Sequence, residues 1–420
     1  MAFKILSVVG ARPNFMKVAA LCEAIKEYNA NGKNPQIDHV LVHTGQHYDA
    51  NMSDAFFNDL ELPKPNLFLG VGSGSHSTQT AKVMEGFEKV LEEQKPQIVI
   101  VVGDVNSTVA CALVTKKTWC VGEDGRDFIP KLAHVEAGLR SFDRTMPEEV
   151  NRVVTDTLSD YLFTTEDSAN QNLEREGIAL NKIHFVGNVM IDTLLRYRSK
   201  AKESTILNDL LLSAEERIKP YAILTLHRPA NVDDGQTFSK ILDSFLDISQ
   251  HMPLIFPAHP RTLKQIQEAD LGDYFVDHFL DGPEPWDSRV RIRLVPPLGY
   301  LDFLHLMSCA KVVLTDSGGV QEETTILGVP CITLRENTER PVTLTHGTNV
   351  LVGSDSERIM HEFARVLTSM RKPPPPPQFW DGSAAKRIIQ TLIEDEIPTA
   401  TLKMPPSTES AINDSSGETI

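Results

Sequence analysis

Leu314-Thr315-Asp316-Ser317-Gly318-Gly319-Val320-Gln321-Glu322-Glu323 follows the run Lys311-Val312-Val313-Leu314, apolar after its lysine, and leads into a segment to Leu327 that ends at Gly328 and Pro330. The order predicts a buried strand, a tight turn at Ser317-Gly318-Gly319 and a helix over Val320 to Leu327. Glycines let backbone approach a ligand, and the free N–H groups of a first helical turn favour an anion. The stretch therefore reads as a phosphate seat or as an ordinary strand-to-helix turn. Either way it predicts an α/β chain with parallel strands.

Outward from this stretch the same grammar repeats. Ile5 to Gly10 is a short apolar strand, and Ala11-Arg12-Pro13-Asn14-Phe15-Met16-Lys17 opens an amphipathic helix to about Tyr28. Arg12 and Lys17 then stand at a strand-to-helix junction, where open α/β sheets bind ligands; a plain surface role for Arg12 is the alternative. His39 to His43 reads as a second strand, leading into Thr44-Gly45-Gln46-His47-Tyr48. His43 and His47 flank a glycine-containing loop with no further ligand in sequence, so a polar contact loop is favoured over a metal site.

Ile98 to Val102 is a fully apolar strand, and Asp104 follows it, placed either at a ligand edge or as a helix cap. Leu132 to Val135 empties into Glu136-Ala137-Gly138-Leu139-Arg140-Ser141-Phe142-Asp143-Arg144-Thr145-Met146-Pro147-Glu148-Glu149-Val150-Asn151-Arg152, the densest polar stretch of the chain. Glu136 is read at a strand end. Glu148 and Glu149 also suit a helix start behind Pro147, where acids complement the dipole.

In the second half, Tyr221 to Thr225 is a strand ending at His227-Arg228. His227 has the side chain suited to acid/base work, or to a cation facing phosphate, at neutral pH; a backbone-bonded structural role is the alternative. Phe303 falls on a helix over Tyr300 to Ser308, as core or as a stacking partner for a base. Arg335 to Pro341 adds cations on the same edge.

The chain has 420 residues, 41% hydrophobic and 23% charged, the profile of a globular protein with two domains. Its formal net charge of −16 argues against nucleic acid and anionic membranes, so a phosphate ligand must be met by local cations. The five cysteines are scattered, as in a reducing compartment, and no apolar run approaches the roughly 18 residues of a membrane span. A cytoplasmic protein is expected, with Met1 running straight into a strand. The boundaries read as 1–188, 189–379, a helix within 380–396 long enough to cross back to the first domain, and a disordered tail over 397–420.

Taken in order, Gly10-Ala11-Arg12-Pro13, His43-Thr44-Gly45-Gln46-His47, Gly103-Asp104, His134 to Arg140, Pro147-Glu148-Glu149 with Asn151-Arg152, His227-Arg228, Ser317 to Glu323 and Thr338-Glu339-Arg340-Pro341 resemble the non-hydrolysing UDP-N-acetylglucosamine 2-epimerases over nearly the whole chain. The chain departs from the family pattern at Pro229-Ala230 and Val342, and Trp119 to Phe128 reads as an insertion. The resemblance implies two Rossmann-like domains in a glycosyltransferase-B-like arrangement, a central cleft holding UDP, and a homodimer. It implies proton transfer by Asp104, Glu136 and Glu148, diphosphate contacts from Arg12, His227 and the Ser317-Gly318-Gly319 amides, and a substrate contact from Lys17. Glu323 would hold ribose, Phe303 uracil and Arg340 the nucleotide end. Gln46 and His47 would contact a second UDP-sugar acting as activator. No cofactor or metal is required. A hydrolysing epimerase, a glycosyltransferase of the same fold and a non-catalytic UDP-sugar sensor are the rival readings.

Overall fold

The computed structural model describes residues 3–46, 59–122, 124–214, 217–258, 260–277, 292–368 and 374–397. Strands β1 (Phe3–Val9), β2 (Ile37–His43), β3 (Leu67–Phe68), β4 (Ile98–Val102), β5 (Lys131–Ala137), β6 (Tyr161–Thr164) and β7 (Ile183–Phe185) build one parallel sheet in the order β3-β2-β1-β4-β5-β6-β7. The central position of β4 follows from its composition: all of Ile98-Val99-Ile100-Val101-Val102 is buried, which a strand covered by helices on both faces requires.

A second parallel sheet uses β8 (Ala222–Thr225), β9 (Leu254–Pro257), β10 (Phe275–Asp277), β11 (Ile292–Val295), β12 (Val312–Thr315), β13 (Cys331–Thr333) and β14 (Asn349–Leu351) in the order β10-β11-β9-β8-β12-β13-β14. In each lobe the chain steps outward one way from the first strand and then returns to its other side, through β4 and β12. Open sheets of this kind bind ligands beyond the strand ends at that reversal.

Helix Val189–Ala201 connects the two lobes. Its Ile191, Leu194, Tyr197 and Ala201 are buried, and it packs on helix Arg12–Ala30 on one side and on helices Tyr300–Cys309 and Gly318–Leu327 on the other. One apolar cluster consequently runs through both lobes. Helix Ala384–Glu396 joins it, burying Ile388, Ile389, Leu392 and Ile393 alongside Val18, Leu21 and Ile25. The carboxylate of Asp192 accepts hydrogen bonds from the Ala384 and Ala385 amides at 3.1 and 2.7 Å, capping that helix, and Trp380 donates its indole N–H to the Thr165 carbonyl at 2.9 Å.

The segment read as an insertion pairs Cys120–Val121 with Asp127–Phe128 as a small antiparallel hairpin. Strand β5 runs past the expected end at Val135 to Ala137, so Glu136 lies inside the strand rather than after it. Among the described residues no helix is long and apolar enough to cross a membrane.

Candidate active site

The second lobe supplies a seat. Asp316 follows strand β12, is fully buried, and accepts hydrogen bonds from the backbone amides of His227 (3.1 Å) and Arg228 (2.9 Å) and from the Asn231 side chain (3.1 Å). Its other oxygen lies 2.9 Å from His227 Nδ1, leaving the imidazole side chain 54% exposed at the strand edge. Burial alone would raise the Asp316 carboxyl; His227 and these N–H donors outweigh it and hold the group low. Ser317 precedes helix Gly318–Leu327, and its amide donates to Thr315 Oγ1 at 2.9 Å. A Cβ on Gly318 would lie 2.4 Å from Arg340 Nη1, so glycine is what admits a guanidinium beside this turn.

The first lobe supplies carboxylates. The β5–β6 register shifts between Val135 and Ala137, and Glu136 at that irregularity has φ +72°. A left-handed glutamate costs on the order of 1–3 kcal/mol, a strain that β-bulges use to re-aim a side chain. Glu136 is 2% exposed and lies 2.6 Å from Lys17 Nζ. A Cβ on Gly103 would approach that same ammonium to 2.8 Å. Asp104 is ion-paired with Arg152, and its carbonyl accepts from Asn151 Nδ2 at 2.8 Å. Burial pushes Asp104 up, but Arg152, Lys17 and Arg340 prevail and keep it below the usual carboxylate range.

Beneath these groups His134 spans 2.6 Å to Asp156 and 2.8 Å to the Gly103 carbonyl. Asp156 in turn takes the Gly138 amide at 3.1 Å and pairs with Arg140 at 2.7 Å. One buried histidine–aspartate pair thus props both turns that present Asp104 and Glu136.

The lobes meet at Arg340. Its Nη2 is 3.2 Å from Glu136, its Nε 2.8 Å from Glu322 and its Nη1 3.2 Å from Glu339. Burial raises the Glu322 carboxyl despite this cation. Glu323 is pushed up to about 8 by burial, with the Tyr300 hydroxyl donating to it at 3.2 Å. Glu166, just beyond β6 and 2% exposed, is raised to about 7 by burial, against a hydrogen bond from Ser168.

The structure brings Lys17, Glu136, Arg340 and Gly318 into one run of contacts, with Asp104 joined through Arg152 and His227 held next to Ser317 through Asp316. Other sequence candidates sit differently. Glu148 is half-buried on the first turn of helix Pro147–Leu158, whereas its neighbour Glu149 is buried and binds Ser141, the Phe142 amide and Arg152. Phe303 is half-buried and packs against the core. Gln46 is buried, its amide oxygen accepting from the Ser107 amide and hydroxyl at 3.0 and 2.7 Å. Arg12 begins its helix, while its side chain and all of His47 lie outside the described residues. His43 stacks between the rings of Phe15 and Phe68.

Sequence reading gave no individual role to Arg152, Asp316, Glu322 or Glu339, although each lies one to three residues from a residue it did single out. Among the described residues no cluster of three or more His, Cys, Asp or Glu has a metal-binding arrangement.

Two parallel-sheet lobes facing one another across buried carboxylates, a glycine turn and an arginine cluster define an enzyme of glycosyltransferase-B-like architecture. A family profile described as UDP-N-acetylglucosamine 2-epimerase matches residues 29–393. The UDP-N-acetylglucosamine 2-epimerase of Methanocaldococcus jannaschii is 40% identical over 395 residues, 93% of this chain and 98% of that protein. The UDP-2,3-diacetamido-2,3-dideoxy-D-glucuronate 2-epimerase of Pseudomonas aeruginosa is 36% identical over 392 residues, 93% of this chain and 99% of that protein. The crystal structure of the M. jannaschii enzyme in complex with UDP-GlcNAc and UDP matches with a TM-score of 0.78 at 39% identity, covering 93% of this chain and 100% of that one. The chain belongs to the UDP-N-acetylglucosamine 2-epimerase family.

Proposed function

We propose that the protein is a non-hydrolysing UDP-N-acetylglucosamine 2-epimerase that interconverts UDP-GlcNAc and UDP-ManNAc, working as a cytoplasmic homodimer. The observation that carries this reading is the pairing of Glu136 with both Lys17 and Arg340, the latter lying against the Gly318 turn. Proton-transfer groups and a diphosphate seat are thereby adjacent.

The C2 proton of an N-acetylhexosamine adjoins no carbonyl and is not acidic. Departure of UDP changes that. As the C1–O bond breaks, its electron pair leaves with UDP and positive charge gathers at C1; the C2 proton passes to a carboxylate, giving 2-acetamidoglucal and UDP. Returning a proton to the opposite face of C2 and UDP to C1 inverts C2. Glu136, Asp104 and Glu148 serve the proton transfers. Arg12, Lys17, Arg340, His227 and the Ser317-Gly318-Gly319 amides receive the departing diphosphate, where one preorganised donor contributes on the order of 10²–10³ in rate. Glu323, whose carboxyl burial pushes up to about 8, holds the ribose hydroxyls, and Phe303 meets the uracil. In the same reading Gln46, whose amide oxygen accepts from Ser107, and His47 contact a second UDP-sugar acting as activator.

Incubation with UDP-GlcNAc in deuterated water tests the reading. Deuterium at C2 of a sugar still bearing UDP is expected. Release of free N-acetylmannosamine would favour the hydrolysing reaction, and retained protium at C2 without an acceptor would overturn both.

A further inference from the structure

Glu339 follows β13 and is 2% exposed, yet guanidiniums of four arginines surround its carboxylate. Arg335 Nη2 is 2.7 Å from one oxygen, while Arg340 Nη1, Arg152 Nη2 and Arg228 Nη2 lie 3.2, 3.4 and 3.4 Å from the other. Burial alone would raise this carboxyl; the arginines overwhelm that and hold it far below the usual range. Three of the four belong to the second lobe. Arg152 alone comes from the first, on helix Pro147–Leu158.

The two guanidiniums nearest the cleft each hold a carboxylate assigned to proton transfer. The Nη2 of Arg152 that faces Glu339 also binds Asp104, and its Nη1 binds Glu149 at 2.9 Å. Arg340 divides itself among Glu339, Glu322 and Glu136. Within the second lobe the pairs run from Arg335–Glu339 at 2.7 Å and Arg340–Glu322 at 2.8 Å to Arg340–Glu339 at 3.2 Å and Arg228–Glu339 at 3.4 Å. Across the cleft stand Glu339–Arg152 at 3.4 Å and Arg340–Glu136 at 3.2 Å. Charge attraction at such distances persists in a buried site without demanding one hydrogen-bond geometry. The cross-lobe links are the ones whose length changes as the lobes move.

We infer that Glu339 is a positioning residue of the reaction, anchoring Arg152 of the first lobe beside Arg340 of the second so that approach of the lobes aims Asp104 and Glu136 at the sugar. This rests on the epimerase reading above. Without the Glu339 charge Asp104 and Glu136 drift, and a misplacement of about 1 Å can cost on the order of 10²-fold in turnover.

Glu339→Gln keeps the shape and deletes the charge. Expected are a kcat for UDP-GlcNAc epimerisation lower by about 10²-fold, a KM changed far less, and faster amide hydrogen exchange in 147–153 and 336–343. Glu339→Asp, which keeps the charge, restores part of kcat. Native kcat in Glu339→Gln, unchanged exchange in those segments, or an aspartate variant no better than the glutamine one overturns the inference. Should Glu339→Gln fail to fold, Arg152→Lys replaces it: a lysine cannot serve Asp104, Glu149 and Glu339 together, so kcat falls with KM retained, and native turnover overturns the anchor. Wild-type protein that never exchanges the C2 proton sinks the epimerase reading instead, whereas the hydrogen-exchange comparison still decides whether Glu339 links the lobes.

Discussion

Arg340 Nη2 stands 3.2 Å from Glu136 Oε1, so a guanidinium rooted in the second lobe joins Lys17 as a counter-ion of a carboxylate rooted in the first. Both groups are buried, at 6% and 2% exposure, and neither can trade its partner for water at low cost.

Arg340→Gln strips one cation from Glu136, Glu322 and Glu339 together. Removing one partner of a buried pair costs roughly 3–5 kcal/mol, and the loss of a preorganised donor to the diphosphate lowers turnover by on the order of 10²–10³. Urea denaturation and kcat measured on the same preparation check the pair; unchanged turnover would remove Arg340 from the reaction.

Gly318→Ala forces a methyl group to within 2.4 Å of Arg340 Nη1. The guanidinium or the turn must shift, at about 1–3 kcal/mol of overpacking. UDP binding, read by calorimetry, is expected to weaken by about tenfold or more while the circular dichroism of the fold stays. Gly319→Ala, whose added Cβ meets only Met190 Cε at 3.5 Å, is the milder control.

Phe142 has φ +60° with its ring 75% exposed, while its amide donates to Glu149 at 2.9 Å. Glycine adopts that backbone without the steric penalty, and its main-chain amide keeps the bond to Glu149. Phe142→Gly should raise stability by about 1 kcal/mol, seen as a higher Tm; a lower Tm would mean that the aromatic ring supports the loop.

The architecture was legible because buried parallel strands announce themselves. Ile98 to Val102 has the bounds that its apolar run predicts. Short edge strands such as Leu67–Phe68 and Asn349–Leu351 escaped because two or three residues carry no period. In the structure Lys17, Glu136 and Arg340 form one run of buried ion pairs, and Asp104 pairs with Arg152. The supporting groups were harder to see. Glu148 and Glu149 are indistinguishable in sequence at a helix start, and only the path of Ser141 and Phe142 over the helix decides which is buried. In sequence Glu339 is one of two acids between Arg335 and Arg340, and only folding places Arg152 beside it.

Burial raises Glu166 from 4.5 to about 7, which fixes a sign for acid stability. A folded-state value above the unfolded one means its contribution is fully present below about pH 4.5 and is lost as pH rises through about 7. Glu166→Gln should flatten that window and be the more stable protein at pH 8, by on the order of 3 kcal/mol at most. Denaturation midpoints at pH 5 and pH 8 measure it, and parallel pH trends in the two proteins would show that Glu166 ionises freely.

Helix Ala384–Glu396 completes the hydrophobic packing around Val18, Leu21 and Ile25, residues made almost four hundred positions earlier. The opening lobe consequently cannot mature while the ribosome is still translating the second sheet. It must wait, partly sheathed, until Ile393 has left the exit tunnel, which makes nascent chains of this protein clients for whatever shields unfinished apolar surface during synthesis.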